Sequence, residues 1–205
     1  VEHVSLAKLA DIFLVAPASA DVIGKIANGI ADDMLTTTIM ACKCPKLISP
    51  AMNTNMFTNP IVQDNLKKLE HYGYEIIQPD SGYLACGDTG AGKMPSEQVL
   101  LNYILRTIAK DKDMAGIKLT VTAGPTREKL DPVRFLSNNS TGKMGYAIAK
   151  MAMLRGADVT LISGKVSLEP VPFVKTVDIV SAEDMYNAVI KLSLIHISEP
   201  TRRRG

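Results

Sequence analysis

Asn53 lies in Ser49-Pro50-Ala51-Met52-Asn53-Thr54-Asn55-Met56, directly after Lys46-Leu47-Ile48, which reads as the end of a strand. Open α/β sheets bind ligands in loops at the carboxyl ends of their strands. Pro45 and Pro50 stiffen this one. The Asn53 carboxamide both donates and accepts, so it can grip a carboxylate or an amide. Met52 and Met56 are soft enough to lie against a flat ring. The plainer alternative is a solvated loop with methionine packing. A second candidate is Cys86, within Gly82-Tyr83-Leu84-Ala85-Cys86-Gly87-Asp88-Thr89-Gly90-Ala91-Gly92-Lys93-Met94. So many glycines suggest a flexible flap rich in available N–H groups. A thiol on such a flap can close over a substrate and deliver a proton, although a lone cysteine is more often a small buried residue. A lone His3 near the chain start reads by itself as a surface histidine.

Further along, Thr122-Ala123-Gly124-Pro125-Thr126-Arg127-Glu128 follows a strand-like run. Asp131 to Gly145 then leads into a helix through Ser137-Asn138-Asn139-Ser140-Thr141-Gly142-Lys143-Met144-Gly145. Glycines and small hydroxyl residues at a helix start leave N–H groups pointing outward, which makes an anion site. Arg134 and Lys143 add charge for phosphate. The Gly-x4-Gly-Lys spacing of a Walker A loop is absent, and an ordinary capped helix is the simpler alternative.

These candidates need elements to hold them. Ile12-Phe13-Leu14-Val15-Ala16 is a continuous apolar run that predicts a buried parallel strand ended by Pro17. A helix follows over 19–30 with Ser19 as cap, then another from Asp33 to Met40, and a strand over 45–49. Asn59-Pro60 opens a helix through Glu70, closed by Gly73. Residues 74–77 predict a strand and 97–109 an amphipathic helix. The pattern restarts after the charged segment 111–116: a strand over 118–122, a helix over 142–155, and strands over 158–162 and 176–180. Ser181-Ala182-Glu183-Asp184 then opens another helix. Strands alternating with helices imply βαβ units and parallel sheets. The expected division is a first domain over 1–110, a linker over 111–116 and a second domain over 117–191. Residues 192–205 break the helical pattern and resemble a translated sequencing-adapter scar. We read them as a non-native tail outside the fold.

Composition narrows the function class. Hydrophobic content of 46% with 21% charged residues is that of a globular chain. A net charge of +2 is too small to argue for nucleic acid or an anionic membrane. No apolar run is long enough to span a bilayer. Cys42, Cys44 and Cys86 form no disulfide framework and have no zinc spacing. Cys42 and Cys44 read as small apolar residues at a strand start. No secretory signal is seen, so a cytoplasmic setting is expected. The chain opens without Met and in mid-pattern, which suggests that its true beginning is missing.

Together, the first-half segments resemble the flavin-containing cysteine decarboxylases, phosphopantothenoylcysteine decarboxylase among them. Pro50 to Met56 matches the family's Pro-x-Met-Asn-x-x-Met motif, Ala85 to Met94 its substrate-clamp loop, and Ala16 to Val22 a flavin-binding turn. Asp21-Val22 stands where some members have Asn-Thr. The resemblance implies a flavodoxin-like parallel sheet, FMN, and catalysis by His3, Asn53 and Cys86. Flavin contacts fall to Ser19, Ala20, Asp21, Val22, Ala51 and Met56. In the implied reaction FMN oxidises the cysteinyl end, carbon dioxide leaves, and the product enethiolate is reduced and protonated, with Cys86 as proton donor. The second half resembles the start of phosphopantothenate–cysteine ligase, a second Rossmann-like α/β domain, in the form fused behind the decarboxylase in bacteria. That implies CTP with Mg2+, and the substrates phosphopantothenate and cysteine. Arg134 and Asn138 would serve phosphopantothenate and the acyl-cytidylate step, while Gly124, Ser140, Gly142 and Lys143 would line the nucleotide phosphates. A homo-oligomer is implied as well. The resemblance covers about residues 1–191, so the chain reads as a fragment truncated at both ends. Two alternatives stay open: a non-enzymatic flavin-binding regulator of the same fold, and a nicotinamide enzyme. The second is disfavoured because no strand is followed by Gly-x-Gly-x-x-Gly.

Overall fold

The computed structural model describes residues 2–83 and 89–194. The chain divides into two units, residues 1–109 and 110–205. The first unit begins with a helix, α1 (Glu2–Leu9), where the sequence offered no clear element. It continues through β1 (Phe13–Ala18), α2 (Ala20–Ala27), α3 (Met34–Ala41), β2 (Lys46–Pro50), α4 (Thr54–Phe57), α5 (Pro60–His71) and β3 (Glu75–Ile76). The strands β1, β2 and β3 pair in parallel in that order.

Strands β1 and β2 each serve two cores because successive side chains point to opposite faces. Val15 and Ile48 pack with Ile23, Ile39, Leu66 and Leu69 from α2, α3 and α5. Leu14 and Leu47 face the other way. They meet Leu100, Tyr103 and Ile104 of a later helix, α6 (Glu97–Ile108). This double burial explains why the strands read as unbroken apolar runs. Full burial of one such side chain contributes about 1.5–3 kcal/mol, against about 1 kcal/mol for a typical helix cap.

The local signals act where expected. Ser19 Oγ accepts from Val22 N at the start of α2. Asp33 and Thr36 form a reciprocal box at α3, and Asn59 caps α5 with Pro60 in its first turn. The structure shortens α2, which ends at Ala27 rather than reaching Ile30. The Asn28 amide turns back to Gly24 O at 2.8 Å, and Gly29 takes a positive φ of 71°. Cys42 closes α3 instead of starting a strand. It is buried, and burial first of all pushes its thiol pKa up.

The glycine-rich segment is a structured antiparallel hairpin where it is described, β4 (Asp80–Tyr83) with β5 (Thr89–Lys93). Glycine carries no strand signal, and tertiary contact supplies the order here. Residues 84–88, Cys86 among them, lie outside the described residues.

The second unit holds β6 (Lys118–Ala123), β7 (Arg127–Lys129), β8 (Phe135–Ser137), α7 (Lys143–Leu154), β9 (Asp158–Ser163), β10 (Lys175–Asp178) and α8 (Ala182–Leu194). A parallel sheet runs β10-β9-β6, and α7 packs on it through Ala149, Ala152 and Met153. The hairpin β7–β8 was not anticipated, because its strands are three residues each. Strand β10 stops at Asp178, short of the expected Val180. Helix α8 runs to Leu194, so the expected break at 192 does not occur there. Residues 195–205, including His196 and the arginines, lie outside the described residues.

At the start of α8, Asp184 Oδ2 accepts from Ser181 N at 2.9 Å while Asp184 N donates to Ser181 Oγ at 3.1 Å. The Ser181 backbone N–H, then its hydroxyl, then Val180 N–H hold the Asp184 carboxyl below the ordinary carboxylate range. A carboxyl depressed in the folded state adds stability above its unfolded pKa of about 3.9, and that stability is lost as pH falls through the folded value. Asp184→Asn is therefore expected to lower the melting temperature at neutral pH and to flatten its fall below about pH 4. Thermal melts of both proteins across pH check this. Parallel curves would refute it.

Candidate functional site

In the first unit the site builds at the carboxyl edge of β1 and β2. Ala51 N donates to Ala18 O at 3.0 Å, which joins the loops leaving the two strands. The first loop passes Ser19 into Ala20, Asp21 and Val22, the first turn of α2. Asp21 is exposed and shares Lys25 with Asp32 and Asp33. An exposed pair of this kind adds little stability. Hydrogen bonding to Asp32 is the main cause that raises the Lys25 pKa.

The second loop carries Asn53, whose Oδ1 accepts from Asn55 N at 2.8 Å and so caps α4. Ala51 is half-buried, Met52 packs against the core, and Met56 is about half exposed. Two hydroxyls here, Ser49 Oγ and Thr54 Oγ1, are buried and have no hydrogen-bond partner among the described residues.

The β4–β5 hairpin docks on this loop. Met52 N donates to Gly92 O at 3.0 Å. A Cβ on Gly92, whose φ is 134°, would stand 2.2 Å from Met52 O, and one on Gly90 would stand 2.5 Å from Thr54 Oγ1. Only glycine permits approaches this close. Of the expected catalytic trio, Asn53 lies in this setting. His3 lies on α1, which packs on α3. Cys86 lies outside the described residues. Thr54, Gly90 and Gly92 are contact residues that sequence reasoning missed, although two glycines spaced by two within one segment were a usable signal.

In the second unit three loops meet at the carboxyl edge of its sheet. Gly124 follows β6 with φ 77°, and Gly142 caps α7 with φ 73°. A Cβ on Gly142 would come within 3.3 Å of Gly124 N, and one on Gly164, after β9, within 1.9 Å of Pro125 O. A cavity of about 270 Å3 lies at the start of α7, and Gly124, Ser140, Gly142 and Lys143 all line it.

Arg134 and Asn138 do not line that cavity. The Arg134 guanidinium and backbone N–H both bind Asp131. That backbone N–H first, then the guanidinium, holds the Asp131 carboxyl below its usual range. Asn138 Oδ1 accepts from Ser140 N at 2.9 Å, so it shapes the turn that presents Ser140. A second cavity of about 430 Å3 is lined by Tyr146, Ser163, Lys165 and Asp178, with Tyr146 Oη 3.1 Å from Ser163 Oγ. The sequence did not point to it. Among the described residues no group of three or more His, Cys, Asp or Glu side chains is placed to hold a metal ion. No described helix is long and apolar enough to cross a membrane.

A parallel α/β sheet with an asparagine turn and a glycine hairpin at its carboxyl edge agrees with what family comparison finds. Residues 1–109 match the Flavoprotein family, and the chain belongs to it. Residues 114–196 match the DNA/pantothenate metabolism flavoprotein C-terminal domain. The coenzyme A biosynthesis bifunctional protein CoaBC of Bacillus subtilis (strain 168) is 47% identical over 195 residues, which are 94% of this chain and 48% of that protein. CoaBC of Escherichia coli (strain K12) is 46% identical over 187 residues, 91% of this chain and 46% of that one. The chain thus spans about half the length of the curated relatives it matches. A solved PPC decarboxylase, a cysteine-to-serine variant complexed with pantothenoylaminoethenethiol, is 38% identical with a TM-score of 0.50. That match covers 51% of this chain and 58% of the other.

Proposed function

We propose that the protein acts in coenzyme A biosynthesis, in the FMN-dependent decarboxylation of 4'-phosphopantothenoylcysteine to 4'-phosphopantetheine. The observation that carries this reading is the Asn53 turn, fixed at the sheet edge beside the loop of Ser19 and clasped by the glycine hairpin. The residues fit a flavin. Met56 is about half exposed and offers a soft apolar surface, and Thr54 Oγ1 is a buried hydroxyl with no hydrogen-bond partner among the described residues. Ser19, Ala20, Asp21, Val22, Ala51 and Met56 would hold FMN. When bound, FMN supplies the two-electron chemistry at the cysteinyl end that makes the neighbouring carboxylate a leaving group.

The chain's own residues orient the substrate and move protons. The Asn53 carboxamide both donates and accepts, and would hold the substrate carboxylate or amide. His3 transfers a proton and orients substrate. A homo-oligomer is part of this reading. Cys86 gives its proton to the product enethiolate, so its thiol has to stay protonated until that step. The enethiol bound by the solved cysteine-to-serine relative supports this assignment, because it is the type of compound left when that last protonation fails.

The second unit we read as the start of a CTP-dependent phosphopantothenate–cysteine ligase, with Mg2+ arriving on CTP. Gly124, Ser140, Gly142 and Lys143 would receive phosphate at the start of α7, and Arg134 and Asn138 would serve phosphopantothenate. The test of the whole reading is carbon dioxide release from 4'-phosphopantothenoylcysteine by the FMN-loaded protein. Flavin binding without release would favour the regulator reading instead.

A further inference from the structure

We propose that Gly90 is a positioning residue: its bare Cα lets the returning strand of the hairpin seat on Thr54, and that seat sets the hairpin's distance from Asn53. The pairing of β4 with β5 slips by one residue, since Asp80 faces Lys93 whereas Ser81 faces Ala91. Gly92 is the extra residue. A bulge of this kind re-aims the backbone locally, and here Gly92 O accepts a hydrogen bond from Met52 N at 3.0 Å. That single bond pins one point of the hairpin.

The second point of contact is steric. A Cβ on Gly90 would lie 2.5 Å from Thr54 Oγ1, 3.0 Å from its Cγ2 and 3.3 Å from its Cβ. Thr54 cannot easily move aside, because a β-branched side chain is stiff at χ1. Its Oγ1 is buried and has no hydrogen-bond partner among the described residues, so the seat there is a matter of contact. At Thr54 the spacing is set by contact distance, beside the Met52–Gly92 hydrogen bond. Asn53 is the next residue in the chain, so a hairpin pushed away at Gly90 changes its position against the proposed substrate-binding amide. The catalytic meaning of this seat rests on the decarboxylase reading; the seat itself does not.

Three FMN-loaded variants test it: Gly90→Ala, Thr54→Ala and the double variant. Hydrogen exchange at the Met52 amide reports the seat, and turnover with product analysis reports its consequence. Gly90→Ala is expected to speed Met52 exchange and to lower kcat about 100-fold, the loss that a misplacement of about 1 Å can cause, with a larger share of product released as enethiol. Thr54→Ala alone slackens the seat and should fall between wild type and Gly90→Ala. In the double variant the two closest clashes are gone, and both Met52 protection and kcat should recover most of the loss. If Gly90→Ala does not fold, a folded double variant with near-normal turnover supports the seat, and a folded one with the full defect overturns it. Wild-type Met52 protection in Gly90→Ala overturns it, as does a double variant no better than the single. A wild-type protein that releases no carbon dioxide removes the decarboxylase reading, while the exchange data still decide the seat.

Discussion

Replacing Cys86 with serine is expected to leave flavin binding intact and to halt the reaction at the enethiol. A thiol, with a pKa of about 8.5, gives up a proton readily near neutral pH, and a serine hydroxyl is a far weaker acid. Loss of a positioned proton donor removes about 100- to 10,000-fold from the step it serves. The earlier loss of carbon dioxide does not need that proton, so carbon dioxide and normal product should part company. The check is to follow carbon dioxide and the released thiol products together, by mass. A variant that makes 4'-phosphopantetheine at the wild-type rate takes Cys86 out of this role.

Asn53→Asp is expected to separate folding from chemistry. Aspartate is as good a helix cap as asparagine, so the acceptor that α4 takes from Asn53 Oδ1 survives and the melting temperature should hold. What changes is the other end of the side chain. A donor is lost and a negative charge is set against the substrate carboxylate, which we expect to lower kcat/KM by about 100- to 1,000-fold, the scale of losing one preorganised donor. A like charge nearby raises the pKa of the new carboxyl, so part of the activity should return as pH is lowered. Steady-state kinetics across pH, with melts in parallel, test this. Unchanged kinetics would remove Asn53 from the substrate, and a collapsed melting temperature would make its role chiefly structural.

The fold was legible where the determining physics is local. Ser19, Asp33, Asn59 with Pro60, and Ser181 announce helix starts because each satisfies N–H groups within three residues of itself. The runs around Val15 and Ile48 announce strands because both faces are buried. Helix α1 was not legible: Val4, Leu6 and Leu9 remain exposed, so no apolar stripe marks it. The hairpins were not legible either. The hairpin of β4 and β5 docks on Met52 and Thr54 through Gly92 and Gly90, about 40 residues further on in sequence, and no short window of residues holds that information.

The candidate sites divide in the same way. Gly124, Ser140, Gly142 and Lys143 stand at strand and helix ends, where pattern alone locates them, and they lie along one cavity. Arg134 and Asn138 carry the right chemistry in sequence, yet the structure gives Arg134 to Asp131 and Asn138 to Ser140 N. Residue type shows what a side chain is able to bind. It does not show which neighbour will reach it first.

The hydrogen bond between Asn53 Oδ1 and Asn55 N has a kinetic consequence. Because the oxygen begins a helical turn, the amide plane cannot rotate by half a circle without undoing that turn. Its orientational entropy is therefore surrendered once, while the chain folds, and no arriving ligand has to wait for the group to find its face.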